Sequence, residues 1–368
     1  MRLLTLGGTE FVGRAVVEAA LARGWDVTVF HRGRHEPPAG VRSLHGDRTA
    51  PDGLAALAGT DEEWDVVVDT WSAAPRVVRD AARLLAHRAR RYVYVSSCSV
   101  YAWPPPAGYD EDSPPVADAS PDAEQTDYAR DKRGGELAVL EAFGAERSLL
   151  VRAGLILGPY ENIGRLPWWL GRMARGGPVL APGPRDLPLQ YVDVRDLAEW
   201  TLGAAETGAA GPYNVISPSG HATMGALLDA CVQVTGGTAG DPVAGGTARG
   251  QVTEGAARGQ VAGDPVGGRR AGGPAELRWT DPDVVLAAGI EPWLELPVWV
   301  PPGSESYGAL HRADVSRAVR DGLRCRPVVE TVADTWSWLQ SIGGTAPQRP
   351  DRPVVGLDPS VEAKVLGG

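Results

Sequence analysis

The chain has 368 residues, enough for one large α/β domain or for such a domain with a smaller lobe. Acidic residues outnumber basic ones 46 to 36, and the resulting net charge of −10 excludes a general nucleic-acid binder that works through a basic surface. Apolar residues make up 43%, enough for a globular core, yet no run approaches the roughly 18 residues of a membrane span. The cysteines Cys98, Cys231 and Cys325 are too far apart for a metal set or a disulfide framework, so reduced thiols and a cytoplasmic location are expected.

Leu3 to Leu6 reads as a first strand, and Met1 to Leu6 is too short for the apolar region of a signal peptide. A glycine turn follows at once, Gly7-Gly8-Thr9-Glu10-Phe11-Val12-Gly13, and then a helical pattern to Arg23 with Val16, Val17, Ala20 and Leu21 apolar. Glycines between a first strand and a first helix let the backbone approach a pyrophosphate, while the helix start supplies N–H donors and positive dipole. Gly7, Thr9, Glu10, Phe11, Val12 and Gly13 are therefore candidate cofactor-binding residues. Glu10 stands where the middle glycine of such turns is usual, so its side chain must point away from the phosphates or crowd them.

Asp26 to Phe30 is the second strand, ending in His31-Arg32-Gly33-Arg34. A carboxylate at this place would bind the ribose 2′-OH of NAD. None is present, and His31, Arg32 and Arg34 are suited to a 2′-phosphate, which points to NADP(H) with NAD(H) as the alternative. Asp47, in Gly46-Asp47-Arg48, is open to two roles, a hydrogen bond to the adenine amine or a cap on the next segment.

Val66 to Val68 reads as a strand flanked by Asp65 and Asp69, Arg76 to Ala89 as a helix, and Tyr92 to Val95 as a strand ending at Ser96-Ser97. Glu136 to Phe143 is helical and Ser148 to Arg152 a strand. Apolar strands alternating with helices predict a Rossmann-like, doubly wound parallel sheet covered on both faces. The expected division is a dinucleotide-binding domain over 1–160, with segments around 186–217 returning to it, a mainly substrate-binding lobe over 161–340 and a tail over 341–368. Within the lobe, 236–275 is Gly/Ala/Pro-rich with near-repeats and few apolar anchors, which reads as a flexible insertion, or alternatively a substrate lid. Val361 to Leu366 has the pattern of a short docking helix.

Three residues carry the chemistry. Tyr128 and Lys132 are one helical turn apart and share a face. An ammonium beside a phenol lowers its pKa, and tyrosine can then exchange a proton with a carbonyl/alcohol pair. Ser97, at a strand end, can orient the carbonyl, with Cys98 and Ser99 as its neighbours; the plainer reading is that these residues cap the strand.

These features, in this order, resemble the extended short-chain dehydrogenase/reductases of the epimerase/dehydratase branch. The resemblance rests on Gly7 to Gly13, Ser96 to Tyr101, Tyr128-Ala129-Arg130-Asp131-Lys132, Arg152 to Pro159, Tyr191 to Ala198 and Gly211 to Val215. It implies Ser97, Tyr128 and Lys132 as the catalytic serine, tyrosine and lysine, with Lys132 also on the nicotinamide ribose. Family dehydratases carry Asp-Glu where this chain has Cys98 and Ser99, which disfavours loss of water. Glu10 resembles a divergent subgroup that includes RNA-associated chloroplast stem-loop-binding proteins. The reading that best fits the chain is a reductase or dehydrogenase acting on a ketone or secondary alcohol of a small metabolite. The alternatives are a nucleotide-sugar epimerase, with Arg165, Arg172, Arg175 or Arg185 on the diphosphate, and a non-catalytic cofactor-binding or RNA-associated protein. No metal, nucleic acid or membrane is expected as a partner, and assembly as a homodimer is open. Trp293 to Trp299 is the candidate apolar wall for the substrate, or else lobe core, and His221 and His311 read as packed or surface residues.

Overall fold

The computed structural model describes residues 1–236, 273–345, 347–350 and 352–367. The sheet is built from β1 (Arg2–Leu6), β2 (Asp26–His31), β3 (Arg42–His45), β4 (Trp64–Asp69), β5 (Ala89–Ser97) and β6 (Ser148–Ala153), with Gly211–Val215 as a seventh strand. All seven are parallel, in the order 211–215, β6, β5, β4, β1, β2, β3. The inner strands are apolar on both sides because both sides are covered, whereas the edge strand β3 is mostly polar. The helices are α1 (Phe11–Ala22), the short α2 (Ala55–Ala58), α3 (Pro75–Leu85), α4 (Tyr128–Phe143), α5 (Arg165–Ala174) and α6 (Val194–Thr207). α1 packs beside α6 on one core, and α3 beside α4 on the other.

Chain order reverses between β1 and β4, and the crevice above such a point is where doubly wound sheets bind ligands. Gly7 ends β1 there with φ of +87°, and a Cβ on Gly13 would lie 2.6 Å from the Gly7 carbonyl oxygen. Only glycine at 13 lets α1 sit this close to the turn.

A separate core joins α5 to the helices Met224–Gly236 and Val328–Ser341 and to the parallel strands Gly177–Pro182 and Ala275–Thr280. Trp169 and Trp299 are fully buried in it. The C-terminal segment returns to this body. Arg349 donates its backbone N–H to the Asn162 carbonyl and Gly356 to that of Leu294. A helix at Pro359–Gly367 places Glu362 against Arg172 at 2.8 Å, with both side chains nearly buried.

The structure shortens one expected element: the helix expected to reach Ala89 stops at Leu85, because β5 begins at Ala89. The helix expected from Glu136 starts eight residues earlier, at Tyr128, where Asp127 accepts a hydrogen bond from the Arg130 N–H at 3.0 Å as its N-cap. The insertion read over 236–275 falls, apart from its ends, outside the described residues.

Candidate active site

β5 delivers Ser97 to the C-terminal edge of the sheet, and α4 delivers Tyr128 and Lys132 to the same place. α4 lies close on β5 because Gly135 has no side chain: a Cβ there would be 2.5 Å from the Tyr94 hydroxyl. Tyr128 is the first residue of the helix and stays 39% exposed, whereas Lys132, one turn further in, is 3% exposed. The Ser97 hydroxyl lies close enough to the Tyr128 phenol to lower its pKa. It also lies 3.1 Å from the Ser99 hydroxyl and accepts from the Ser99 N–H, so the strand-capping role and the contact with Tyr128 coexist.

The hydrogen bonds of Lys132 go to backbone carbonyls. Its ammonium donates to the Trp71 carbonyl at 2.7 Å and the Val95 carbonyl at 2.6 Å, above the Tyr94 ring. Burial pulls its pKa down to about 7, against the opposing pull of Asp69 and Glu136. The Tyr128 phenol is pushed above its ordinary pKa, chiefly by burial; Ser97, then Arg352 and Arg165, pull the other way. Arg352 and Arg165, the cations that bear most on the phenol, thus come from outside α4.

The loop that receives Lys132 is pinned from below. Asp69, fully buried at the end of β4, accepts two hydrogen bonds from Arg48 at 2.7 and 2.8 Å, one from the Tyr92 hydroxyl at 2.7 Å and one from the Trp71 N–H at 2.9 Å. Pairing with Arg48 holds its carboxyl low despite burial. Ser96 and Arg152 converge on Glu136 of α4 at 2.7 and 2.9 Å, tying α4 to β5 and β6. Asp69, Arg48, Trp71 and Glu136 were not picked out from sequence. The signal lay only in acids and arginines flanking apolar strands, and the pairing is long-range.

At the cofactor turn, Glu10 has ordinary extended backbone (φ −136°), so the position needs no glycine. Its carboxylate accepts from the Asn162 amide at 3.3 Å and lies 3.8 Å from His35. Phe11 opens α1 at φ +37°, a left-handed value that a bulky residue holds only where its surroundings enforce it. Val12 follows Phe11 on α1 and packs against the adjoining core, and Thr9 lies in the turn between β1 and α1.

Beyond β2, Arg32 and Arg34 are exposed and form no hydrogen bond or ion pair with a described residue; Asp47 is close enough for both to lower its pKa. Asp47 itself accepts from the Thr49 N–H and hydroxyl at 3.0 and 2.7 Å, so it caps its own turn. His31 is corrected. It is buried, 4.6 Å from the His45 ring, and accepts from the Gly33 N–H; burial followed by His45 lowers its pKa, so it offers no cation to a phosphate. The glycine cradle and the two guanidinium groups unpaired among the described residues fit a dinucleotide, for which Gly7 to Gly13 would face the pyrophosphate, Arg32 and Arg34 the adenosine end and Lys132 the nicotinamide end.

The wall read over Trp293 to Trp299 divides. Trp299 is core, its indole N–H donating to the Gly183 carbonyl at 2.9 Å. Trp293, at φ +69°, lines a cavity of about 590 Å³ with Trp103, Pro292, Val300, Pro301 and Leu310. Of the four lobe arginines, Arg172 is spent on Glu362 and Arg185 pairs with Asp229, while Arg165 lies over the Trp293 ring at 5.0 Å. Burial pulls down the pKa of Arg175, with Arg172 adding to it. His311 is a packing residue, buried between the Gln190 N–H and the Val298 carbonyl with its pKa brought down to about 4 by burial. His221 lies 2.9 Å from the Arg326 carbonyl. Among the described residues no cluster of His, Cys, Asp or Glu is arranged to hold a metal, and no helix is long and apolar enough to cross a membrane.

A parallel doubly wound sheet with a glycine turn at its switch point, and a serine, tyrosine and lysine gathered at the next strand ends, defines a Rossmann-fold enzyme of the oxidoreductase type. The chain belongs to the NAD dependent epimerase/dehydratase family, which it matches over residues 3–216. It is 30% identical over 231 residues to the 2-alkyl-3-oxoalkanoate reductase of Stenotrophomonas maltophilia, covering 57% of this chain and 68% of that one. It is 28% identical over 242 residues to the epimerase family protein SDR39U1 of Bos taurus, covering 61% and 76%. In fold it is similar to the Bordetella bronchiseptica enzyme WbmH, solved in complex with NAD+, with a TM-score of 0.61 and 17% identity over 93% of this chain and 99% of that one.

Proposed function

We propose that the protein is an NADP(H)-dependent reductase or dehydrogenase that interconverts a ketone and a secondary alcohol in a small metabolite. The observation that carries this reading is the placing of Ser97 beside the Tyr128 phenol at the mouth of the cleft, close enough to lower its pKa, with Lys132 one turn below. A bound nicotinamide supplies or accepts the hydride. The chain's own part is proton transfer and positioning. Tyr128 keeps its proton at neutral pH, as its raised pKa requires, and gives it to the carbonyl oxygen as that oxygen gains charge. Ser97 holds the same oxygen by its hydroxyl. Lys132, close to half-protonated near pH 7, sits where it can return a proton towards the nicotinamide ribose. Arg32 and Arg34, which form no hydrogen bond or ion pair with a described residue, support NADP(H), since a 2′-phosphate accepts charge-assisted hydrogen bonds that a 2′-OH does not.

Cys98 and Ser99 support redox chemistry over elimination of water. Burial drives the Cys98 thiol up to about 12, so it is no acid or base at neutral pH. The relative named as a 2-alkyl-3-oxoalkanoate reductase is in keeping with reduction of a carbonyl. Incubation with NADPH and a panel of ketones and oxo acids tests the reading. Stoichiometric consumption of NADPH with formation of the alcohol is expected. Conversion of a nucleotide sugar to its epimer without net consumption of cofactor would replace it with the epimerase reading.

A further inference from the structure

The C-terminal segment carries a cation into the cleft that neither the glycine turn nor the Tyr128 helix explains. Arg352 places its guanidinium carbon 5.3 Å from the centre of the Tyr128 ring. Arg165, at the start of α5, lies over the Trp293 ring of the lobe and is close enough to Tyr128 to lower its pKa. Neither side chain forms a hydrogen bond or ion pair with a described residue, and the Arg165 Nε is buried with no partner. The two guanidinium groups are close enough for Arg352 to disfavour the charge on Arg165.

Two like charges brought together in a partly buried cleft repel, and a buried charge with no partner is costly. The nearby carboxylate of Glu161 favours the charge on Arg165 but forms no ion pair with it. Glu161 is fully buried and committed to the backbone N–H groups of Arg165 and Leu166 at 2.7 and 3.2 Å. Its pKa rises to about 7, so it carries only part of a charge at neutrality. Arg172, by contrast, has its own counter-ion in Glu362. Among the described residues, then, Arg172 has an ion-paired carboxylate and neither Arg165 nor Arg352 has one.

Resting on the reading of the Tyr128 cleft as the substrate site, we propose that Arg165 and Arg352 form a clamp for an oxyanion on the substrate, with Trp293 and Trp103 flanking its body. The substrate is thus an anionic oxo or hydroxy compound, its carboxylate or phosphate held by two forked donors while its carbonyl faces Tyr128 and Ser97. Paired guanidinium groups suit either anion, because each presents parallel N–H donors to two oxygens. The clamp is completed by the C-terminal segment, so that segment is part of the site.

The test uses cofactor-saturated protein and three probes of similar shape: benzoate, phenyl phosphate and neutral benzamide, titrated by calorimetry. At least one anion should bind at least about tenfold more tightly than benzamide, and the tighter anion identifies the carboxylate or phosphate source. Arg352→Gln and Arg165→Gln should each weaken that anion by about tenfold to a hundredfold, with Arg352→Lys recovering part of the loss. Thermal unfolding of each variant shows whether it folds; should Arg165→Gln fail to fold, Arg352→Gln decides. Equal affinity for anion and benzamide, unchanged anion affinity in the folded variants, or a loss confined to cofactor affinity would each overturn the clamp. Tyr128→Phe separates this inference from the redox reading. Persistent anion preference with full turnover in that variant rejects the redox role alone, and an inactive Tyr128→Phe in a protein without anion preference rejects the clamp alone.

Discussion

Arg352 lies over the ring of Tyr128, although the two residues belong to opposite ends of the fold's architecture, one in the C-terminal segment and one at the start of α4. The contact contributes to the electrostatics of the phenol. Burial raises the Tyr128 pKa, and Ser97, then Arg352 and Arg165, limit that rise. Loss of Arg352 should therefore raise it further, because the phenolate loses a favourable charge. The pH–rate profile of Arg352→Gln should move to higher pH on the limb assigned to Tyr128, in carbonyl reduction and in alcohol oxidation alike. An unmoved profile would show that Arg352 does not act on the phenol.

Lys132 makes stability depend on pH in an unusual direction. Its folded pKa is about 7, below the roughly 10.4 of an unfolded lysine. Between those values the unfolded chain holds a proton that the folded chain lacks, so stability from this group rises with pH. Above about 8.5 the buried thiols oppose it: unfolded cysteine ionises there, while burial pushes Cys98 and Cys325 up to about 12 and raises Cys231 as well. Glu161, whose pKa burial raises to about 7, opposes it at the lower end, so the clean window is from about 8 to about 8.5. In cofactor-free protein, denaturant unfolding across it should show a positive slope for the wild type and a smaller one for Lys132→Met. Identical slopes would mean that Lys132 is charged throughout.

Glu136 anchors α4 to the sheet through buried contacts with Arg152 and Ser96. Its replacement by alanine leaves the Arg152 charge buried without its carboxylate, a change that typically costs about 3–5 kcal/mol. Urea unfolding should show a loss of that order. A loss below about 1 kcal/mol would show that the Tyr101 hydroxyl, 3.0 Å from Arg152, suffices as a partner.

Cofactor choice is read at Arg32. Arg32→Ala should weaken NADPH by about tenfold or more and NADH little, since only NADPH carries the 2′-phosphate. Direct titration with both reduced cofactors checks this, and equal weakening of the two would reject the assignment.

The parts legible in the sequence are those encoded locally. Gly7 to Gly13, the strand ending at Ser97 and the Tyr128–Lys132 turn are contiguous patterns whose spacing fixes their geometry. The parts that escaped depend on contacts between distant segments. Nothing near Lys132 shows that its ammonium ends on the Trp71 carbonyl, because that loop is placed by the Asp69–Arg48 pair. Nothing in the Pro/Gly-rich tail shows that it docks through Glu362 onto Arg172, carrying Arg352 over Tyr128. His31 looked like a phosphate ligand because strand alternation does not reveal that His45 closes over it. Trp293 and Trp299 look alike in sequence, and only the left-handed backbone at Trp293 turns one towards the cavity while the other enters the core.

The most direct test of the central claim is turnover by Tyr128→Phe, measured together with its cofactor affinity. The variant keeps the aromatic ring under Arg352 and removes only the proton-bearing hydroxyl. A group that acts in the chemical step should lower kcat by about a hundredfold to ten-thousandfold while leaving cofactor Kd within about twofold. Wild-type kcat in the folded variant, with the substrate that the wild type reduces, would contradict Tyr128 as the proton donor.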